Sequence, residues 1–155
     1  MRGKQAPKRE IVPDPKFQNA DLAKFINYVM RMGKKSVAQG IVYGAFDVIA
    51  EKMQKNPLEV FELAMKNVSP TLEVKGRRIG GANYQIPIQV KAERRFILAS
   101  RWIIDAAKER KGKPMLQKLA QELMDASKKE GAAMKKREAV QKMAEANRAF
   151  AHFAR

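Results

Sequence analysis

The chain has no cysteine and only one histidine and one tryptophan. Without thiols it can form no disulfide and no thiolate metal site, an absence compatible with any compartment. The lone histidine, His152, stands near the chain's end with no nucleophile pattern around it, so neither metal binding nor general-base catalysis is expected there. No apolar run reaches the roughly 18 residues of a membrane span, and the opening MRGKQAPKRE lacks the apolar core of a secretory signal. Two glycine motifs also fall short of a nucleotide cradle. Gly33-Lys34-Lys35-Ser36 looks like the end of a phosphate-binding loop, but Tyr28 stands where its first glycine should be and Lys35 where Ser or Thr must follow the lysine. Gly80-Gly81 lacks the remaining glycine spacing of a dinucleotide fold. No cofactor, metal or catalytic residue is therefore expected, and an enzyme is not the reading.

Acidic residues are scarce as well. Asp and Glu number 16 against 32 Lys and Arg, for a net charge of +16 in 155 residues that are 45% apolar. That length and apolar content suit one domain with a single core. The charge is uneven: the net is +6 over residues 1–35, −2 over 36–74, +8 over 75–113 and +4 over 114–155. A folded body with this self-repulsion fits a polyanion partner, and nucleic acid leads that class. The cations gather in the N-terminal arm (Arg2, Lys4, Lys8, Arg9), at Lys34-Lys35, at Lys75, Arg77 and Arg78, and at Arg94-Arg95 with Arg101. Lys135, Lys136 and Arg137 open the last helix, where the macrodipole disfavours positive charge unless phosphates lie nearby.

Along the chain, residues 1–18 hold Pro7, Pro13 and Pro15 with little periodicity and read as an extended basic arm. The helical domain, 19–155, follows. Leu22, Phe25, Ile26, Val29 and Met30 form one apolar stripe, stopped by Gly33. Val37, Ile41, Ala45, Val48 and Ile49 continue in a second helix, where Gly40 and Gly44 would let a neighbour approach. Asn56-Pro57-Leu58-Glu59 is a start signal for a third, ending near Ser69-Pro70. A fourth runs from about Ala92 to Arg110, with Trp102 half-buried against the core. A fifth follows Pro114, and a sixth runs from about Ala132 to Phe150. The nine methionines read as core fillers. The fold class is mainly α: about six helices with a projecting two-stranded hairpin, 72–90, between the third and fourth.

In that hairpin Leu72 and Val74 are expected to pair near Val90 and Ile88, giving the base an apolar side on both strands. Beyond Val74 the first strand is basic, so the distal half should project, with Gly80-Gly81 at its tip. Pro87 cannot donate to a ladder, and its nitrogen should face outward. Arg77 and Arg78 suit phosphate, while Asn83 and Tyr84 could bond to or stack on exposed bases.

Five blocks then become familiar: IVPDPKF (11–17), KFINYVMRMGKKSVAQGIVYGAFD (24–47), NPLEVFELAMKNVSPTLEVKGRRIGGANYQIPIQV (56–90), RRFILASRWIIDAA (94–107) and GAAMKKREAVQKMAEANRAFAHF (131–153). The chain resembles the bacterial-type small-subunit ribosomal protein seven family, although it ends AHFAR where many relatives end in an HYRW-like tail. The resemblance implies binding to the 3′ major domain of small-subunit ribosomal RNA, organisation of the subunit head, and a hairpin near exit-site tRNA and messenger RNA. It implies neighbouring head and platform ribosomal proteins as partners, a place in the cytoplasmic small subunit, and no homo-oligomer. Carried over, Lys75, Arg77, Arg78, Gly80, Gly81, Asn83 and Tyr84 form the arm. On the same resemblance the basic N-terminal residues, Lys34, Lys35, Arg94, Arg95, Arg101, Lys135, Lys136, Arg137 and Arg148 would face ribosomal RNA. Two other readings stay open on the residues alone: a DNA-architectural protein whose ribbon enters a groove, and a basic amphipathic protein at a membrane surface.

Overall fold

A computed structural model describes Gly3, Ala6 and residues 9–154. The elements run α1 (Ala20–Val29), α2 (Lys35–Met53), α3 (Pro57–Val68), β1 (Leu72–Ile79), β2 (Ala82–Gln89), α4 (Ala92–Glu109), α5 (Met115–Ser127) and α6 (Ala132–Ala146), closed by a 3-10 helix over Arg148–Ala154. The mainly helical fold with its hairpin between α3 and α4 is thus the expected one. Helix six is shorter than expected: it stops at Ala146 and Phe150 lies in the 3-10 helix.

Local chemistry accounts for the starts of α1 and α3. The Asn19 side chain accepts from the backbone N–H groups of Asp21 and Leu22 at 2.8 and 3.0 Å, satisfying donors that the first turn leaves without partners. Asn56 accepts from Leu58 N at 3.1 Å with Pro57 at the first helical position.

Helix α5 lies centrally, packed on α2, α3, α4 and α6, and buries Leu119, Ala120, Leu123 and Met124. Edge-to-face aromatic pairs join α1 to α3, with Phe25–Phe61 centroids 5.1 Å apart, and the segment before α1 to α2, with Phe17–Phe46 centroids 5.3 Å apart. On α2 the buried stripe is Ala38, Val42, Ala45, Phe46 and Ile49, one position round from the expected one, and Val37 is 56% exposed. Gly44 does meet α5, through Leu116, whereas Gly40 faces open space. Trp102 is half-buried against the core as expected. The methionines divide: Met65, Met124 and Met134 are buried, but Met32 is 95% exposed.

The segment before α1 is fastened more firmly than its prolines indicate. Asp14 is buried and accepts from the backbone of Lys16 and Phe17, each at 3.1 Å, and from the Tyr43 hydroxyl at 2.6 Å. Burial, and then the hydrogen bond and charge of Asp14, push the Tyr43 phenol up to about 12. It therefore stays a donor across the physiological range.

Two buried polar groups tie the helix ends together. Asn67 Nδ2 donates to the carbonyls of Ala126 and Ser127, both at 3.0 Å, at the end of α5. Glu122, wholly buried, takes Arg110 Nε at 2.9 Å on one oxygen and the Ala133 N–H at 2.9 Å on the other. Its carboxylate therefore sits on the first turn of α6, where it offsets the positive helix end that Lys135 and Lys136 would otherwise aggravate.

Candidate nucleic-acid interface

The hairpin register follows from its turn. Gly80 and Gly81 have φ of +57° and +90°, the paired positive values of a two-residue type I′ loop. That loop sets Ile79 opposite Ala82, and counting back places Arg77 opposite Tyr84, Lys75 opposite Ile86, Val74 opposite Pro87 and Leu72 opposite Gln89. The expected pairing of Leu72 and Val74 near Val90 and Ile88 is therefore off by one residue. Because a one-residue shift moves every side chain to the other face, Leu72 and Val74 lie on the opposite side from Ile86 and Ile88. The expectation for Pro87 holds. Val90 N donates to Thr71 O at 3.0 Å, so alternation makes Val74–Pro87 a non-bonded pair and turns the proline nitrogen outward.

One face of the ribbon carries Tyr84, Ile86 and Ile88 opposite Arg77, Lys75 and Glu73. Its apolar cover comes from the C-terminal 3-10 helix, not from β1. Tyr84 packs on Phe150 and Phe153 with centroids 5.1 and 5.7 Å apart, and Ile86 is 1% exposed. Arg77 Nη1 donates to the Phe153 carbonyl at 2.9 Å. The Tyr84 ring is therefore engaged within the chain, where the sequence had offered it to a base. Aromatics three apart in AFAHF are the local signal that marks this segment.

At the hairpin's base Glu73 holds Lys75 at 3.2 Å and Arg94 at 3.3 Å, and Arg95 Nε donates to the Val90 carbonyl at 2.9 Å. Arg94 and Arg95 thus fix the exit of the ribbon to the start of α4. Arg101 lies two turns beyond Arg94 on the same side of α4 and is exposed. Lys34 and Lys35 are exposed at the start of α2, which has no acidic residue in its first turn. Lys135, Lys136 and Arg148 are exposed, whereas Arg137 Nη1 donates to the Asn67 carbonyl at 2.5 Å and pins α6 to the end of α3. Arg9, Arg78 and Asn83 are exposed, and at Gly80 and Gly81 an added Cβ would meet nothing within 4 Å. Arg2, Lys4 and Lys8 lie outside the described residues. Sequence reasoning missed Asn67 and Glu122, whose partners are distant in the chain, and Asp14, which joins a local turn at Lys16 and Phe17 to the distant Tyr43.

The geometry thus offers a basic ribbon, basic helix starts and buried polar ties, and among the described residues no convergent catalytic group. Among the described residues no cluster of His, Cys, Asp and Glu could hold a metal, and no helix is long and apolar enough to cross a membrane.

Comparison with known proteins is concordant. The family model described as ribosomal protein S7p/S5e matches residues 1–148. The small ribosomal subunit protein uS7 of Polynucleobacter asymbioticus is 59% identical over 98% of this chain and 97% of its own length. That of Pelotomaculum thermopropionicum is 61% identical over 95% and 94%, and that of Azoarcus sp. is 57% identical over 98% and 97%. With near-full coverage at these identities, the chain belongs to the ribosomal protein S7p/S5e family, structural proteins of the small ribosomal subunit and not enzymes.

Proposed function

We propose that the chain binds the 3′ major domain of small-subunit ribosomal RNA, organises the subunit head, and extends its hairpin toward exit-site tRNA and messenger RNA. The single observation that carries this reading is the placement of exposed cations on the helical body and on a glycine-tipped ribbon. Lys34, Lys35, Arg101, Lys135, Lys136 and Arg148 clamp folded phosphate backbone from helix surfaces. Such contacts set affinity and orientation, while base-specific contacts are few. Arg94, Arg95 and Arg137 serve a double purpose, since each also bonds within the protein. The arm residues Lys75, Arg77, Arg78 and Asn83 supply the outlying part of the footprint. Arg2, Lys4, Lys8 and Arg9 would extend it along the N-terminal arm, 1–18, which precedes the RNA-binding domain, 19–155. The partners are RNA and neighbouring head and platform proteins, with the chain acting as one copy.

The test is a competition at matched salt between folded head-domain RNA and random duplex DNA, together with sedimentation of the chain with small subunits after a high-salt wash. Preference for the folded RNA and retention on the subunit are expected. Equal affinity for duplex DNA, accompanied by DNA bending, would favour the architectural reading instead.

A further inference from the structure

A second type I′ turn lies between α1 and α2, and one of its residues is unsuited to it. Met32 and Gly33 have φ of +52° and +72°, and Lys34 N donates to Arg31 O at 3.0 Å, closing the four-residue loop. Both central positions of such a turn favour Gly, Asn or Asp, because a larger side chain is strained where φ is positive. Gly33 meets that demand and Met32 does not. Burial offers no compensation, since Met32 is 95% exposed. The other methionines of the described residues are buried or packed against the core, except Met143 at 47% exposure. Arg31, Lys34 and Lys35 beside Met32 are exposed, as is Val37 in the first turn of α2. Neither backbone nor packing of the folded chain accounts for a methionine here, so its thioether acts toward solvent or toward a partner.

We propose that Met32 is a modification site: peroxide oxidises its thioether to the sulfoxide while the chain is free of RNA, and the oxidised turn binds RNA more weakly. In the step a sulfur lone pair attacks one oxygen of hydrogen peroxide, and the O–O bond breaks. The sulfur is left bearing a hydroxyl, whose proton passes to the departing hydroxide to give water. The thioether loses two electrons and the peroxide gains them. A flexible apolar side chain thereby becomes polar and chiral. The inference rests on the proposed RNA contact of Lys34 and Lys35. A phosphate backbone seated on those lysines comes down on the turn that carries Met32. It screens the sulfur from peroxide, and it meets the sulfoxide as a polar group taken out of water without a partner.

The full chain, labelled at its methionine methyl groups, is treated with excess hydrogen peroxide beside free methionine in the same tube. The methyl signals are followed by nuclear magnetic resonance. Met32→Leu identifies the Met32 signal and, at an exposed position, keeps the parent's thermal midpoint. Met32 converts within about twofold of the rate of free methionine and at least about tenfold faster than Met65, Met124 and Met134, whose oxidation waits on opening of the core. Bound head-domain RNA slows conversion at Met32 at least about fivefold relative to free methionine, and the oxidised parent binds that RNA about fivefold more weakly. Oxidised Met32→Leu binds as it did before treatment, and methionine sulfoxide reductase restores the parent. Conversion of Met32 no faster than that of the buried methionines, no protection by bound RNA, or unchanged affinity of the oxidised parent overturns the proposal. So does an equal loss of affinity in the oxidised parent and the oxidised variant. The unoxidised parent separates the two levels. If it prefers folded head-domain RNA to duplex DNA, only the assignment to Met32 has failed; if it does not, the functional reading fails as well.

Discussion

Glu122 shows how much one buried side chain can organise. Its carboxylate joins Arg110, at the end of α4, to the first turn of α6 through Ala133. Burial alone would lower the Arg110 pKa, but the bonds to Glu122 and Asp125 more than offset it, so the guanidinium is held more firmly protonated than usual. Gly131 completes the arrangement. Its φ is +95°, and an added Cβ would stand 2.9 Å from Glu122 Oε1. Gly131→Ala should therefore cost at least about 2 kcal/mol, combining the left-handed backbone penalty with a displaced carboxylate. Urea unfolding measures it, and a loss below about 0.5 kcal/mol, the scatter of neutral surface changes, would refute the constraint. Tyr43 supplies a pH test. Its pKa rises from 10.0 to about 12 on folding, so the folded state holds that proton more tightly than the unfolded one. The associated stability is complete below pH 10 and drains away as pH rises toward about 12. The thermal midpoint should fall across that window, and Tyr43→Phe should flatten the fall; a parallel decline in both proteins would contradict the Asp14–Tyr43 account.

At the scale of elements, what the sequence discloses depends on whether the signal is local. Asn56-Pro57 marks the start of α3 because a cap is written in adjacent residues, and α4 begins at Ala92 and ends one residue before Arg110, as its periodicity indicates. The stripe of α2 keeps Ala45 and Ile49 but turns to Ala38, Val42 and Phe46 in place of Val37, Ile41 and Val48, because a helix apolar on adjoining sides leaves the choice of stripe to the helices it packs on. The hairpin register is legible at its turn and not in its apolar pattern. Matching apolar residues across the strands misplaces it, whereas counting outward from Gly80-Gly81 gives the observed pairs. The apolar face of β2 needs no apolar partner on β1, since Phe150 and Phe153 cover it. The long-range ties of Asp14 and Glu122 could not be read, because a carboxylate in the sequence says nothing about a tyrosine 29 residues away or a helix start 11 residues on. The covering segment has a measurable consequence. Two strands alone are marginal in water, so the double variant Phe150→Ala, Phe153→Ala should speed amide exchange at Ile86 and Ile88 by at least about tenfold while leaving Leu119 and Leu123 in α5 unchanged. Equal acceleration in α5 would mean that the 3-10 helix supports the whole core and not the ribbon.

For the whole molecule the decisive property is where the charge is missing. Residues 36–74, spanning nearly all of α2 and all of α3, carry a net −2 inside a chain of +16. Cations bracket that stretch, with Lys34 and Lys35 before it and the ribbon and the start of α4 after it. On the proposed reading this segregation gives the molecule an RNA-facing side and a side turned away from phosphate, since polyanion binding gains from cations in proportion to the counterions each contact releases. Two variant pairs separate the sides without disturbing the core, because all four lysines are exposed. Lys34→Ala with Lys35→Ala should flatten the dependence of log affinity for head-domain RNA on log salt by about 1.5, as two lost phosphate contacts require. Lys52→Ala with Lys55→Ala removes the same formal charge from the acidic side and should leave the slope unchanged within about 0.3, well under one contact. If both pairs flatten the slope equally, affinity follows net charge alone and the molecule has no RNA-facing side. If only the first does, the clamp is local, and the ribbon extends a footprint already oriented by the helix starts.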